Sequence, residues 1–183
     1  MKVLVVGGGG REHAVVDALS RSPQVSKIYC APGNAGIARQ AECVPVKDTD
    51  VEGLLFLARE KEIDLTVVGP EAALVAGIVD RFREEGLRIF GPTKAAAQVE
   101  SSKDFAKQIM MRHGIPTAAY ATFDDKDAAV CYVKEKGAPI VIKEDGLKAG
   151  KGVTVAHTLE EALEALDIAF AHTNYREDIS LDL

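Results

Sequence analysis

The chain has 183 residues, 47% of them apolar, which suffices for one large domain or for one complete domain and part of a second. Its formal net charge of −6 argues against a general nucleic-acid binder and against a membrane-surface binder. No apolar run approaches the roughly 20 residues needed to span a bilayer. The three cysteines lack CxxC spacing and no signal peptide is recognisable, which predicts a cytoplasmic location. The four histidines are isolated, and the sequence predicts no metal ligand among them.

A strand, a glycine run and a helix open the chain. Residues 2–6 are a short β-branched run typical of a buried strand, and the letters GGGGREHA follow at 7–14. Helical periodicity begins at Ala14. This order predicts the opening of a doubly wound α/β domain, with an anion site where the helix begins.

The spacing of these glycines excludes the dinucleotide fingerprint. The third glycine of G-x-G-x-x-G would fall on Glu12 or His13, and the second strand ends in Ala31-Pro32 without an acidic residue. A small phosphorylated ligand fits the run better. The structural alternative is a glycine turn that only lets helix and strand pack, which explains one or two glycines more readily than four.

Strands and helices alternate through the rest of this first region, which predicts parallel pairing. A second glycine loop, APGNAG, occupies 31–36, and a third, GPE, occupies 69–71. Because ligands bind beyond the carboxyl ends of parallel strands, Gly8, Asn34 and Glu71 are expected on one rim. Glu71 could accept hydrogen bonds from a sugar, or it could be a first-turn charge favoured by the helix dipole. The predicted elements are strands at 27–30, 43–46, 64–68 and 88–90 and helices at 51–61 and 72–85.

The pattern changes after Pro92. Two helices are predicted at 93–100 and 102–112, the second capped by Ser101 or Ser102. Lys103 lies in a first turn, where the helix dipole disfavours a cation, and this hints at an anionic partner. A small α+β lobe follows, with a strand at 118–123, helices at 127–136 and 159–171, a hairpin at 139–156, and a short candidate strand at 179–183.

The hairpin carries the strongest chemical signal. The letters PIVIKEDGLKAGKGV at 139–153 join an apolar strand to a loop with three glycines and three lysines, and 153–156 suit a second strand. Glycines let backbone N–H groups approach a ligand, and lysines supply positive charge, so the loop suits a polyphosphate. No Ser or Thr follows Lys151, which excludes the P-loop pattern. The alternative is a flexible charged turn.

Six stretches together resemble the phosphoribosylamine–glycine ligase family, which belongs to the ATP-grasp enzymes. They are GGGGREHA at 7–14, APGNAG at 31–36, VVGPE at 67–71, GPTKAA at 91–96, SK with FAK at 102–107, and the hairpin at 139–153. They occur in the family's order and spacing. The resemblance implies an α/β fold, with a doubly wound parallel-sheet (pre-ATP-grasp) domain followed by an incomplete ATP-grasp region that contains the small lid lobe. The expected boundaries are 1–100 for the phosphoribosylamine-binding domain, 101–117 for a helical linker and 118–183 for the incomplete lobe.

The resemblance also implies a reaction, in which ATP and Mg²⁺ activate glycine as glycyl phosphate and the amine of phosphoribosylamine then attacks it. Lys103 and Lys143 are the implied catalytic residues, and the loop is the implied lid over the ATP phosphates. The implied ATP-binding set is Lys103, Lys143, Asp145, Gly146, Ala149, Gly150, Lys151 and Gly152. The implied phosphoribosylamine-binding set is Gly9, Gly10, Arg11, Glu12, Asn34 and Glu71. The expected partners are ATP, glycine and phosphoribosylamine, with no nucleic acid and no membrane.

Two departures from the family pattern affect this interpretation. Glu144 and Lys148 stand where the family has alanines. The family chain is also more than twice as long, and its Mg²⁺ ligands are expected in the part that this chain lacks. The sequence therefore predicts an N-terminal portion without turnover of its own, for which the C-terminal part as a separate chain is a candidate partner. The alternatives are a non-catalytic module that binds a phosphoribosyl ligand and a different ATP-grasp carboxylate ligase.

Overall fold

The computed structural model describes residues 1–145, 152–172 and 179–182. The chain divides into two compact units, Met1–Ala97 and Gln98–Leu183. Within the described ranges, no helix combines the length and the apolar character needed to cross a membrane.

The first unit contains a five-stranded, all-parallel sheet in the order β3-β2-β1-β4-β5. The predicted parallel doubly wound fold is confirmed. The strands are β1 (Lys2–Gly7), β2 (Lys27–Pro32), β3 (Glu42–Cys43), β4 (Leu65–Val68) and β5 (Ile89–Phe90), and the helices are α1 (Gly10–Ser20), α2 (Val51–Glu60), α3 (Glu71–Val75), α4 (Ile78–Glu84) and α5 (Lys94–Ser101), which runs into the second unit.

The central strand β1 is buried on both faces, as its β-branched run predicts. Leu4 and Val6 pack into a core with α2 and α4, and Val3 and Val5 pack into a second core with Val16 of α1. Successive residues of a strand point to opposite faces, so one strand serves both cores. A continuous apolar run is therefore needed here.

Three elements differ from the sequence prediction. The third strand covers Glu42–Cys43 where 43–46 was expected, and a 3₁₀ turn at Ile37–Arg39 was not predicted. The predicted helix at 72–85 is two helices, α3 and α4. Gly77 separates them with a φ of +91°, a left-handed backbone conformation that favours glycine and cannot continue an α-helix.

The strand order creates a switch point beside β1. The chain builds β1, β2 and β3 outward in one direction and then crosses to place β4 on the other side of β1. In doubly wound sheets, the crevice at the carboxyl end of such a switch is the usual ligand site. The loops that flank it follow β1 and β4, and they are the glycine run at 7–10 and the GPE loop at 69–71.

The second unit contains a four-stranded antiparallel sheet in the order β6-β9-β7-β8. Its strands are β6 (Tyr120–Phe123), β7 (Ile140–Glu144), β8 (Val153–Ala156) and β9 (Ile179–Asp182), and its helices are α6 (Lys103–Arg112), α7 (Lys126–Lys136) and α8 (Leu159–His172). One sheet face packs on α7 and α8 to form the core of this unit.

The last strand lies in the middle of this sheet. β9 pairs with β6 on one side and β7 on the other, and all four of its residues are buried. Ile179 and Leu181 join the apolar core, so Ser180 and Asp182 face the opposite side. Lys143 pairs directly with Ser180 and therefore shares that polar face. The short candidate strand of the sequence is thus the strand that connects the two halves of the sheet.

Candidate functional site

Three loops of the first unit meet at the carboxyl edge of its sheet. The Gly33 N–H donates to the Gly7 carbonyl at 3.1 Å, and the Asn34 amide Nδ2 donates to the Gly8 carbonyl at 2.8 Å. The Asn34 Oδ1 accepts from the N–H groups of Gly36 and Ile37, which closes its own loop. The Asn34 side chain therefore fixes the second glycine loop and attaches it to the first.

Arg11 connects the glycine run to the loop after β4. Its guanidinium donates to the Gly69 carbonyl at 2.7 Å and to the Glu71 carboxylate at 2.9 Å. A hydrogen bond from the Glu71 backbone N–H, together with the one from Arg11, holds the pKa of the Glu71 carboxyl below its ordinary value. The pair is accessible, with Arg11 62% and Glu71 37% exposed at the side chain, so both groups can also contact a ligand.

Glu12 is placed differently from its neighbour. It is 5% exposed, and its Oε2 accepts from the Gly9 N–H at 2.6 Å. Gly10, in contrast, would meet nothing within 4 Å if it carried a Cβ, so its surroundings are open. Glu12 belongs to the six residues that the resemblance implies for phosphoribosylamine binding, but its carboxylate is directed into the protein and not toward solvent.

A cavity of about 530 Å³ lies beside this rim and was not anticipated from the sequence. It is open to solvent and lies between α1 and the segment 36–40. Its lining residues are Gly10, His13, Ala14, Asp17, Gly36, Arg39 and Gln40. Their spacing offers no motif, because the cavity arises from the packing of two segments that are distant in sequence.

The second unit has a cavity of about 340 Å³ against the polar face of its sheet. Lys103 and Lys143, which the sequence singled out, both line it. Lys107 of α6 also lines it and was absent from the predicted set. Because Lys107 follows Lys103 by four residues, helical spacing alone places the two on one face. The described residues that line it are Val99, Lys103, Ala106, Lys107, Met110, Thr117, Ala118, Lys143 and Asp182.

Asp182 is the acidic residue among the described residues that line this cavity. Its carboxylate forms ion pairs with Lys143 and, at 3.0 Å, with Lys107. The Lys107 ammonium also donates to the Ala118 carbonyl at 3.1 Å and lies over the Tyr120 ring. Three lysines and one carboxylate are among the described residues that line this cavity, and this composition suits a polyanionic ligand.

Asp145 fixes the start of α6. Its carboxylate accepts from the Ser102 hydroxyl at 2.8 Å and from the Lys103 backbone N–H. The Ser102 Oγ in turn accepts from the Phe105 N–H at 3.1 Å, so Ser102 is the N-cap of the helix. This arrangement holds Lys103 at the end of β7, and Lys103 lines the same cavity as Lys143.

Replacing Ser102 with alanine is expected to destabilise the second unit by about 1–2 kcal/mol, because both the cap and the contact with Asp145 are lost. Urea unfolding of the two units, followed by hydrogen exchange of the strand amides, measures this. Ser101→Ala is the control, since Ser101 ends α5 and caps nothing. Equal losses in the two variants would contradict the assignment of the cap.

Part of the predicted ATP-binding set lies outside the described residues, namely Gly146, Ala149, Gly150 and Lys151. Gly152 is described and buried, and its carbonyl accepts from the Glu144 N–H at 2.9 Å. This hydrogen bond extends the pairing of β7 with β8 toward the loop.

The described residues do not fit a magnesium site. They contain no group of three or more His, Cys, Asp or Glu side chains that could hold a metal ion. In the second unit, Asp145 is engaged by the start of α6 and Asp182 by two lysines. The Asp182 Oδ1 accepts no hydrogen bond from the described residues, and the Lys107 ammonium 3.0 Å away from it disfavours a metal ion at this oxygen.

A doubly wound domain followed by a small lobe with a lysine-lined cavity is the architecture of an ATP-grasp enzyme. The comparisons agree with this class. The family model for the phosphoribosylglycinamide synthetase N domain matches residues 1–100, and the model for the ATP-grasp (A) domain of the same family matches residues 101–179. The chain therefore belongs to the phosphoribosylglycinamide synthetase family, which confirms the resemblance seen in the sequence.

Individual relatives of the chain are named phosphoribosylamine–glycine ligase. The chain is 61% identical to the phosphoribosylamine–glycine ligase of Ralstonia nicotianae over 93% of its length, and 57% identical to that of Xylella fastidiosa over 96%. The crystal structure of phosphoribosylamine–glycine ligase from Thermotoga maritima covers the whole chain with 30% identity and a TM-score of 0.76. The carboxyaminoimidazole ribonucleotide synthase of Aspergillus clavatus, solved with ATP, is 20% identical with a TM-score of 0.74 and supports the fold alone. The chain spans 40% to 43% of the length of the ligases named here.

Proposed function

We propose that this chain provides the phosphoribosylamine site and part of the ATP site of a ligase that joins glycine to 5-phosphoribosylamine in purine biosynthesis. ATP would phosphorylate the glycine carboxylate, and the amine would then attack the carbonyl carbon of glycyl phosphate and expel phosphate. The observation that carries this proposal is the lysine-lined cavity in the second unit, within a chain whose relatives are ligases. We also place the protein in the cytoplasm, as its composition predicts.

In the proposed ATP site, Lys103 and Lys143 neutralise the phosphates, which supports phosphoryl transfer by stabilising the charge that is being moved. Lys107 and Asp182 border the same cavity. The loop between β7 and β8, with Gly146, Ala149, Gly150, Lys151 and Gly152, would close over the phosphates as a lid, and Asp145 belongs to the site through the start of α6. Mg²⁺ is expected to accompany ATP, and its ligands are not proposed among the described residues.

In the proposed phosphoribosylamine site, Arg11 and Glu71 contact the ligand from the open rim, and Glu71 accepts hydrogen bonds from sugar hydroxyls. The backbone of Gly9 and Gly10 and the loop held by Asn34 complete the site. Glu12 belongs to it through the loops that it contacts. The rest of the family's length, supplied as a separate chain, is a further proposed partner.

Calorimetric titration of this chain with glycinamide ribonucleotide and, separately, with ATP tests both sites. We expect Lys143→Met to weaken ATP binding about 10- to 100-fold, because a charge-assisted hydrogen bond is lost, and to leave the ribonucleotide affinity unchanged. Arg11→Ala should have the converse effect. Each variant is thus the control for the other.

The same titrations separate the alternatives. Binding of the ribonucleotide without any binding of ATP would favour a non-catalytic phosphoribosyl-binding module. Binding of ATP without the ribonucleotide would favour another ATP-grasp carboxylate ligase. Ligase turnover by this chain with ATP, Mg²⁺, glycine and phosphoribosylamine would contradict the prediction that the chain is inactive by itself.

A further inference from the structure

Glu12 is a charged residue in a place where charged residues are rare. It sits in the first turn of α1 with 5% exposure, and a carboxylate buried to this extent requires hydrogen-bond partners. Its Oε2 takes the N–H of Gly9, the residue that caps the helix, at 2.6 Å. A glutamate three residues after the cap that accepts the cap's N–H is one half of a capping box. The Gly9 N–H is therefore occupied by a protein side chain.

The Glu12 side chain also occupies the space that a Cβ on each of three glycines would need. A Cβ on Gly7 would lie 2.7 Å from the Glu12 Cγ, one on Gly9 would lie 2.9 Å from its Oε2, and one on Gly69 would lie 2.0 Å from its Oε1. Separations below 3.0 Å essentially never occur for real Cβ atoms. At least part of the glycine content of these loops therefore makes room for a protein side chain.

The loops in question flank the switch point of the sheet. Gly7 ends β1, Gly9 follows two residues later, and Gly69 follows β4. Glu12 lies between the two loops on the inner side, while Arg11, its neighbour in the same helical turn, spans them on the exposed side through the Gly69 carbonyl and Glu71. Two consecutive residues thus set the separation of the loops. Glu12 contacts them on the buried side, and Arg11 contacts them on the exposed side.

The geometry points to Glu12 as a positioning residue of the phosphoribosylamine site. It fixes the glycine run and the Gly69–Glu71 loop at the separation the ligand needs, and its carboxylate does not touch the ligand. This inference rests on the proposed function for the identity of the ligand. A positioning role requires that residue 12 has the shape of glutamate and a hydrogen-bond acceptor. A role in direct contact with the ligand would also require its negative charge.

Gly69→Ala is the sharpest probe of this role. Gly69 has no left-handed φ, so its backbone accepts alanine, and the three nearest atoms to the added Cβ all belong to Glu12. The alanine should displace the Glu12 carboxylate and lower the affinity for glycinamide ribonucleotide about tenfold, because restoring the loop separation in the complex then costs about 1.4 kcal/mol of the binding free energy. Glu12→Ala should have a similar effect, and Glu12→Ala combined with Gly69→Ala should be no worse than Glu12→Ala, because the clash is gone.

Glu12→Gln distinguishes positioning from contact. Glutamine keeps the shape and can still accept from the Gly9 N–H, so we expect affinity within about threefold of the wild type. A loss as large as that of Glu12→Ala would mean that the negative charge itself meets the ligand, and this would overturn the inference. Additive losses in the Glu12→Ala/Gly69→Ala pair would overturn it as well.

A measurement without ligand tests the inference even if glycinamide ribonucleotide is not what this site binds. The Gly9 amide resonance should reflect its short hydrogen bond to a carboxylate, and both Gly69→Ala and Glu12→Ala should shift it. An unchanged Gly9 resonance in Gly69→Ala overturns the positioning role whatever the ligand. If the wild-type chain fails to bind glycinamide ribonucleotide while the Gly9 resonance moves as expected, the proposed function is contradicted and the placement of the loops by Glu12 is supported.

Discussion

Replacing Leu181 with alanine is expected to destabilise the second unit by about 2–5 kcal/mol, which is a large part of the stability of a domain of this size. Leu181 is completely buried on the apolar face of the sheet. It lies on β9, between β6 and β7, so the cavity left by the substitution would open in the strand that connects the two halves of the sheet.

Urea unfolding followed by hydrogen exchange measures this loss, with the amides of β7 reporting on the second unit and those of β1 on the first. The first unit should unfold at an unchanged midpoint, since its cores are separate. Val155→Ala is the matched control. Val155 lies on the edge strand β8 of the same sheet and is 55% exposed, so its truncation should change stability by less than about 0.5 kcal/mol. Equal losses of unfolding free energy in Leu181→Ala and Val155→Ala would mean that β9 contributes no more to the stability of the unit than an edge strand does.

The position of β9 illustrates what the sequence could not predict. Its four residues alternate apolar and polar, which indicates a strand, but so short a segment has no periodicity strong enough to place it. Its central position follows from its partners, β6 and β7, which precede it by long stretches of chain. Local patterns predict an element, whereas strand order depends on contacts between distant segments.

The first unit was more predictable because its strands and helices alternate with clear loops between them. Alternation implies parallel pairing and a common edge for the loops, and the structure brings Asn34 and the glycine run together there. The helix break at Gly77 was missed, since a single glycine inside a helical pattern is often tolerated.

Two site features had partial signals in the sequence. The spacing of Gly9 and Glu12 matches a helix cap and its third residue, which could have indicated that Glu12 points back toward the loop. Lys107 shares a helix face with Lys103, which could have placed it in the same site. Asp182 had no such signal, because it reaches Lys143 across 39 residues of chain and only the pairing of β7 with β9 brings them together.

Removing the charge of Asp182 is expected to cost the second unit about 3 kcal/mol at neutral pH, because breaking a buried ion pair leaves its partner uncompensated. The Asp182 side chain is 8% exposed, and Lys107 is 12% exposed. Asp182→Asn keeps the shape of the side chain and leaves the Lys107 and Lys143 ammonium groups facing a neutral amide. Lys143 is 27% exposed and partly screened by water, so most of the loss is expected to come from Lys107.

Asp167→Asn is the matched control for this substitution. Asp167 pairs with Lys126 in the same unit, but both side chains are open to solvent, at 65% and 47% exposure. Surface ion pairs contribute about 0–1 kcal/mol, so the control should lose little. Combining Asp182→Asn with Lys107→Met should recover part of the lost stability, because the uncompensated charge is then absent.

Polyphosphate connects this stability measurement to the proposed ATP site. An anion that binds only the folded unit raises the free energy of unfolding of that unit. Once the anion concentration exceeds the dissociation constant, this increase is proportional to the logarithm of the concentration. Inorganic tripolyphosphate should stabilise the Asp182→Asn variant more than the wild-type chain, because it can pair with two lysines that Asp182 no longer occupies. A smaller gain in the variant would mean that Asp182 holds Lys143 in its binding position and does not compete with the phosphates. Equal losses in Asp182→Asn and Asp167→Asn would show that the buried cluster contributes no more than a surface pair.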